Sequence, residues 1–192
     1  MTGYAGKLIE SQKNLETATL AGGCFWCTEV IFKRLKGVKT VISGYAGGKV
    51  ANPTYQEVSS GSTGHAEAIQ ITFDPKVIPY ERLLGVFWQL HDPTTPNRQG
   101  NDVGPQYRSA IFAHDRQQKE IAEKSKKDIE ESGVYQDKII TEIVPFTNFY
   151  KAEDYHQNFY DQNRTFGYCR LIIDPKIQKL NRKFKDYVKV RP

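Results

Sequence analysis

The sequence predicts an α+β protein: a split βαβ (ferredoxin-like) plait with a mixed sheet and helices packed on it, plus a C-terminal helical extension. Two patterns carry that expectation. Side chains alternate strictly from Ala66 to Phe73, with Ile69, Ile71 and Phe73 on one face, as in a half-buried strand. Apolar residues recur at helical spacing after Phe25 and again after Tyr80. The order in which these segments come adds a third observation: strand, helix, strand, then strand, helix, strand.

Taken in order, 1–15 is polar and without clear periodicity, and reads as a loosely held N-terminal arm. Residues 16–192 are expected to form one domain, with 170–192 as a basic C-terminal helix. Glu16 to Leu20 reads as the first strand. Gly22 and Gly23 turn the chain into a helix from Phe25 to Leu35, with Val30, Ile31 and Leu35 on its apolar side. Val38 to Tyr45 is rich in β-branched residues and reads as a strand. A Gly/Asn/Pro segment leads to a short helical turn near Tyr55 to Val58. The alternating strand from Ala66 ends at Asp74-Pro75, and Tyr80 to His91 is an apolar helix with Leu83, Leu84 and Phe87 on one stripe.

The connection from Asp92 to Gln106 is long and rich in Pro, Gly and Asn. Flanked by ordered elements, such a loop is expected to wall a site. Tyr107 to Ala113 reads as a strand, Asp115 to Glu131 as a polar helix, Lys138 to Val144 as a strand, and Ala152 to Tyr160 as a further helix. The last helix is expected to open at Asp174-Pro175, an N-cap followed by a proline at the first helical position. Ile177, Leu180, Phe184 and Tyr187 would form its buried side.

The chain has 192 residues, with 27 Lys and Arg against 22 Asp and Glu. That length suits one well-buried domain better than two. The excess of positive charge is partly a tail effect, because Lys176, Lys179, Arg182, Lys183, Lys185, Lys189 and Arg191 crowd the end. A solvated helix face accounts for such a run more simply than a nucleic-acid or membrane contact does. No early segment resembles a signal peptide and no run approaches the roughly 20 apolar residues of a membrane span. Three cysteines, an odd number, make no structural disulfide framework. A reducing cytoplasm is therefore expected, with the thiols kept for chemistry.

That chemistry centres on Gly22-Gly23-Cys24-Phe25-Trp26-Cys27. A cysteine at a helix start meets unpaired N–H groups and a partial positive charge, so its thiol is expected to ionise below the usual value of about 8.5. The glycines would leave its sulfur uncovered. Cys27 lies on the same helical face, within disulfide reach. A Cys-x-x-Cys pair after a strand points to redox or zinc chemistry, and zinc usually takes four ligands at motif spacing, for which this chain has no second pair. No metal is expected.

Glu67 is the next most informative residue. It shares a face with Ile69, Ile71 and Phe73, so it is either a neutral buried acid able to donate a proton or an ionised glutamate at the strand's edge paired with an arginine. Tyr107 would face the same way as Ile111, and Tyr55 opens the short helical turn; taken singly, each phenol fits core or surface filler as well as a site. Phe25 and Trp26 would make an apolar cup beside the sulfur, suited to a methyl group. His65 and His91 read as structural.

Gly-Cys-Phe-Trp resembles the signature of the A-type peptide methionine sulfoxide reductases. The resemblance continues at Gly44-Tyr45-Ala46-Gly47-Gly48, Gly64-His65-Ala66-Glu67, His91-Asp92-Pro93-Thr94-Thr95, Gln106-Tyr107-Arg108-Ser109-Ala110-Ile111, Glu153-Asp154-Tyr155-His156-Gln157 and Gly167-Tyr168-Cys169. These segments cover about residues 16–170 in family order. The resemblance implies an enzyme that reduces methionine S-sulfoxide, protein-bound or free, with no bound cofactor. Cys24 would be the nucleophile, Glu67 the acid assisted by Tyr55 and Tyr107, and Asp102 the group that orients them. Phe25, Trp26, His156 and Tyr168 would bind substrate. Cys169 would resolve a Cys24 sulfenic acid, with Cys27 as relay or alternative, and thioredoxin (dithiothreitol in vitro) would reduce the resulting disulfide. No nucleic-acid or membrane partner is implied, and a monomer is expected.

Two other functions fit single features. A general thiol–disulfide oxidoreductase would explain Cys-x-x-Cys but leave the inward glutamate without a task. A nucleic-acid module would explain the basic, aromatic-rich composition, but no RRM-like or KH-like motif supports it.

Overall fold

The computed structural model describes residues 15–189. The expected N-terminal arm therefore lies, but for its last residue, outside the described residues. The chain forms a mixed six-stranded sheet carrying helices, an α+β architecture. Strand β1 (Glu16–Gly22) leads into helix α1 (Phe25–Lys33), then β2 (Val38–Ala46), the short helix α2 (Tyr55–Ser59), β3 (Ala66–Phe73) and helix α3 (Tyr80–Leu90). A two-stranded hairpin, β4 (Arg98–Gln99) with β5 (Asp102–Val103), precedes β6 (Ser109–Ala113), α4 (Arg116–Glu131), β7 (Glu142–Pro145) and β8 (Phe149–Lys151). Helix α5 (Phe159–Gln162) and helix α6 (Asp174–Lys183) follow.

Across the sheet the order is β7-β6-β1-β3-β2-β8, antiparallel throughout except for the parallel pair β6–β7. The expected alternation in β3 holds, since Ile69, Ile71 and Phe73 are buried in the main core with α1 and α3. The opposite face is lined by small residues, Ala21, Ala46, Ala66, Ala68 and Ala110, around Phe112. Register positions the site. Leu20 pairs with Ile69 and Tyr45 with Glu67, so the turn leaving β1 and the acid on β3 come level at one end of the sheet.

Several expectations are corrected. The connection over residues 92–106 contains regular structure of its own, the hairpin of β4 and β5. Tyr107 is not on a strand: Gly104, at φ 146°, and Pro105 open a single 3-10 turn over Pro105–Tyr107, and β6 starts two residues later. The strand expected from Lys138 begins only at Glu142. The helix expected over 152–160 is replaced by a 3-10 turn at Asp154–His156 and α5, broken where Asn158 adopts a left-handed conformation at φ 56°.

The C-terminal segment also differs. Asp174 does not cap a helix, because it continues helically from a π-turn over Cys169–Ile173, and its carboxylate instead accepts from the Tyr160 hydroxyl. The helix ends at Lys183, not near the terminus. The chain beyond it docks on the α1–β2 turn, where Lys36 N–H donates to Tyr187 O and Lys189 N–H to Arg34 O. Ile177 and Leu180 are buried as expected, and Arg82 stacks its guanidinium 4.5 Å from the Tyr187 ring centre. No described helix is long and apolar enough to cross a membrane.

Strand β8 reaches the sheet through one close approach. A Cβ placed on Gly44 would lie 2.4 Å from both Phe149 Cζ and the Tyr150 carbonyl oxygen, and backbone cannot yield as a flexible side chain can. Gly44→Ala is therefore expected to lower stability by about 1–3 kcal/mol, measured by urea unfolding, because overpacking must displace β8. An unchanged midpoint would contradict that packing.

Candidate active site

The turn after β1 is built around Gly23. Its φ of +84° suits glycine, and a Cβ there would meet Gln99 Cγ at 2.4 Å. Gln99 is held by both ends of its amide: its Oε1 accepts from Asp92 N–H at 3.0 Å, and its Nε2 donates to Asp92 O at 3.1 Å. The β4–β5 hairpin is thus clamped over the start of α1. Cys24 is the N-cap of α1, its carbonyl accepting from Cys27 and Thr28 N–H.

Two expectations about this cysteine do not hold. Its sulfur is not uncovered, since only 7 % of the residue is exposed. Nor is its thiol acidic. Burial pushes it well above its ordinary range, and the nearby Cys27 and Glu67 add to the shift. At the helix start the first N–H of α1, on Phe25, donates to Glu67 Oε2 at 3.0 Å, and the Cys24 side chain takes no capping hydrogen bond. Cys27 is the more acidic thiol. A hydrogen bond from Cys24 holds it down to about 7, against the opposing effect of burial.

Glu67 is buried, with 2 % exposure. Burial raises its carboxyl to about 8; the Phe25 N–H opposes this, while Asp102 and Cys27 add negative charge that raises it further. An arginine is absent from the groups that shift it, so of the two alternatives open in the sequence the inward neutral acid is the one found. With Oε2 taken by Phe25, the other oxygen is available to carry the proton.

Cys24, Phe25, Trp26, Tyr55, Glu67, Asp102, Tyr107 and Tyr168 line one small cavity of about 40 Å³. The sequence could not place Tyr55 and Tyr107 together. In the structure both line the cavity, and burial raises both phenols, so each stays a neutral donor. Asp102, on β5, accepts from the Tyr168 hydroxyl at 2.6 Å, and that hydroxyl lies 3.8 Å from Cys27 Sγ.

Supports behind the cavity come from far along the chain. Trp26 stacks on Phe159, ring centres 3.6 Å apart and planes 6° from parallel, and donates its Nε1–H to His156 Nδ1 at 3.1 Å. His156 does not line the cavity as expected of a substrate-binding residue; its ring backs those of Phe25, Trp26 and Tyr55. Glu153 braces two more site elements, accepting from the Tyr45 hydroxyl and from Tyr55 N–H, each at 2.8 Å. Glu29 accepts from Asn158 N–H and ties α1 to the turn before α5. Sequence reasoning missed Glu153, Glu29 and Phe159, and the Glu153 resemblance motif was the one signal that pointed towards any of them.

His65 and His91 bridge backbone and side chains: His65 Nδ1 accepts from Gly48 N–H, and His91 Nε2 lies 2.7 Å from Ser109 Oγ. Burial lowers His91 to about 4, so it is neutral at pH 7. Cys169 is fully buried at the π-turn and lines neither this cavity nor the larger one on the Cys27 side. Burial raises its thiol, with the charges of Asp174 and Cys27 contributing. Among the described residues, no cluster of three or more His, Cys, Asp or Glu could hold a metal ion.

Comparison with known proteins places this arrangement. The family described as Peptide methionine sulfoxide reductase matches residues 16–188. The Peptide methionine sulfoxide reductase MsrA of Sulfolobus acidocaldarius is 58% identical over 177 residues, covering 92% of this chain and 99% of its own. Among solved structures, Mxr1 from Saccharomyces cerevisiae in reduced form superimposes with a TM-score of 0.77 at 37% identity, covering 82% of this chain and 90% of that one. Mxr1 in complex with Trx2 is also similar, at a TM-score of 0.56 and 30% identity, over 77% of this chain and 86% of that one.

Burial of Glu67 has a consequence for stability. Between its ordinary value of 4.5 and about 8, the folded state keeps a proton that the unfolded chain has released, so stability falls as pH rises through that window. Glutamine cannot titrate, yet its amide oxygen can still accept from Phe25. Glu67→Gln should therefore stabilise the fold over wild type, with an advantage that widens by on the order of 2 kcal/mol between about pH 5 and pH 8 in urea unfolding. An advantage that is flat across those pH values would contradict a proton held at Glu67.

Proposed function

The chain belongs to the A-type peptide methionine sulfoxide reductases, oxidoreductases that return methionine sulfoxide to methionine, and on that premise we propose how its own residues do so. The observation that carries the proposal is a neutral glutamic acid lining the same cavity as Cys24. A sulfoxide has an electrophilic sulfur, but oxide is a very poor leaving group unless protonated. Reduction thus needs a sulfur nucleophile on one side and a proton donor on the other.

Substrate seats its S–CH3 group against Phe25 and Trp26, with its oxygen towards Glu67, Tyr55 and Tyr107. Glu67 protonates that oxygen while the two phenols hydrogen-bond to it as charge shifts. Protonation gives the substrate sulfur positive character, which draws the Cys24 thiolate and offsets the burial that keeps the thiol protonated at rest. Asp102, by accepting from Tyr168, fixes the edge of the site. The substrate S–O bond breaks and an S–O bond to Cys24 forms. The substrate sulfur gains two electrons, Cys24 loses two and becomes a sulfenic acid, and methionine leaves.

A second thiol then condenses with the sulfenic acid, releasing water, and an external dithiol reduces the disulfide. Thioredoxin is the proposed reductant, supported by the similar yeast protein's complex with Trx2. The proposed substrates are the S epimers of free and protein-bound methionine sulfoxide. The reading extends to the scaffold: we assign residues 16–192 to one catalytic domain whose inner strands, in the order β6-β1-β3-β2, form the split βαβ plait.

Turnover of each sulfoxide diastereomer, with dithiothreitol and then with thioredoxin, tests the proposal. Cys24→Ser should abolish reduction of the S epimer. Glu67→Gln should lower the rate by roughly one to two powers of ten or more. Near-full activity in Cys24→Ser, or equal rates for both epimers, would overturn it.

A further inference from the structure

The catalytic cavity, at about 40 Å³, has room only for the reacting end of a methionine sulfoxide side chain. The rest of a substrate must lie outside it. Cys24, Asp102 and Tyr168 also line a cavity of about 440 Å³, within the size range of small-ligand sites. That cavity shares Gln99, Pro175 and Lys176 with an adjoining cleft of about 390 Å³, which His91, Asp92 and Lys179 also line.

The charged groups along this path differ in how they are satisfied. Asp102 accepts from the Tyr168 hydroxyl. Asp92 Oδ1 accepts from Thr94 N–H at 2.9 Å and from the Thr94 hydroxyl at 2.6 Å. His91 is neutral at pH 7, its ring engaged with Phe87 O and Ser109 Oγ. The two cations are the exception. Lys176 and Lys179 stand about one turn apart on α6, both half-buried, and among the described residues neither ammonium group has a hydrogen bond or an ion pair. Further along the same segment Lys183 donates to Gln89, and Lys189 to Lys33 O and Val38 O. Burial lowers the Lys179 amine, and repulsion from Lys183, Lys176 and Arg182 adds to the shift. An anion seated between Lys176 and Lys179 would relieve that repulsion.

We propose that this cleft is a substrate subsite for a carboxylate, and that Lys176 and Lys179 make the enzyme favour methionine sulfoxide that has an aspartate or glutamate beside it in a polypeptide. The inference rests on the reaction assigned to Cys24 and Glu67 and deepens it by naming a substrate class. The oxidised side chain enters the small cavity, the polypeptide backbone lies in the larger one, and the neighbouring acidic side chain reaches the lysines. Charges held in a half-buried cleft are screened less than charges on an open surface, so the pairing can discriminate between substrates. Free methionine sulfoxide carries the same chemical group as its α-carboxylate, and the test separates the two sources.

The full chain is assayed with dithiothreitol, so that no second protein contributes. The substrates are end-blocked alanine pentapeptides of methionine S-sulfoxide, with Glu, Ala or Lys immediately before or after the oxidised residue. N-acetylmethionine sulfoxide and its N-methylamide are compared alongside them. At one of the two positions kcat/KM should be about three- to tenfold higher with Glu than with Ala, and lower with Lys, and the difference should shrink in about 0.5 M salt. Lys176→Ala combined with Lys179→Ala should remove the preference. Lys176→Glu combined with Lys179→Glu should turn it towards Lys, an inversion that partial unfolding cannot produce. Equal kcat/KM for the Glu, Ala and Lys peptides, or a Glu preference that survives in the double alanine variant, would overturn the proposal. A gain confined to the N-acetyl acid over its amide would give the cleft to the substrate's own carboxylate and overturn the assignment to a neighbouring residue. If wild type released no methionine from any peptide, the fault would lie with the assigned reaction. Calorimetric affinities of wild type and the double alanine variant for the same peptides would then still decide the subsite.

Discussion

The hydrogen bond from Phe25 N–H to Glu67 Oε2 sets the terms for the rest of the site. A helix start has few free donors, and this one spends its first on a carboxyl group instead of on the neighbouring sulfur. Glu67 is thereby anchored on the helix start with one oxygen left over, while the Cys24 side chain takes no capping hydrogen bond from α1. Burial then acts on both groups in the same direction, keeping each protonated while the site is empty. A site of this kind favours charge only once a polarised ligand arrives, which suits reduction of a neutral, dipolar sulfoxide.

Holding an acid in that state requires a rigid surround, and the surround is drawn from the last third of the chain. Glu153 ties Tyr45 and the start of α2 together, Phe159 and His156 support Trp26, and the Asp102–Tyr168 pair closes the side facing Cys27. The C-terminal basic segment fits the same logic. Its helix buries Ile177 and Leu180 in the core and brings Lys176 into the lining of the larger cavity beside Cys27.

How much of this was legible in the sequence can be traced residue by residue. Glu67 was legible because strict alternation in β3 left it on the apolar face, and Cys24 because two glycines precede it at a strand–helix junction. Tyr107 was assigned to the right site but the wrong element, since Gly104 and Pro105 impose a turn where the apolar run suggests an early strand start. The acidity of Cys24 was misjudged because the helix-start argument leaves out the cost of charging a buried sulfur. Asp174-Pro175 has the composition of a helix opening, yet the preceding π-turn continues into it, an override by packing of Cys169 and Ile173 that no local pattern signals. Glu29, Glu153 and Phe159 act across separations of roughly one hundred residues or more, and such pairings carry no local periodicity to read.

The central claim is that Glu67 is an uncharged acid at neutral pH beside the nucleophile. Infrared difference spectroscopy of wild type against Glu67→Gln tests it most directly, because a protonated carboxyl and a carboxylate absorb at separate frequencies. A protonated-carboxyl band present near pH 7, absent from Glu67→Gln and titrating away near pH 8, is the result this account predicts. A carboxylate band assigned to Glu67 already at about pH 6 would contradict it.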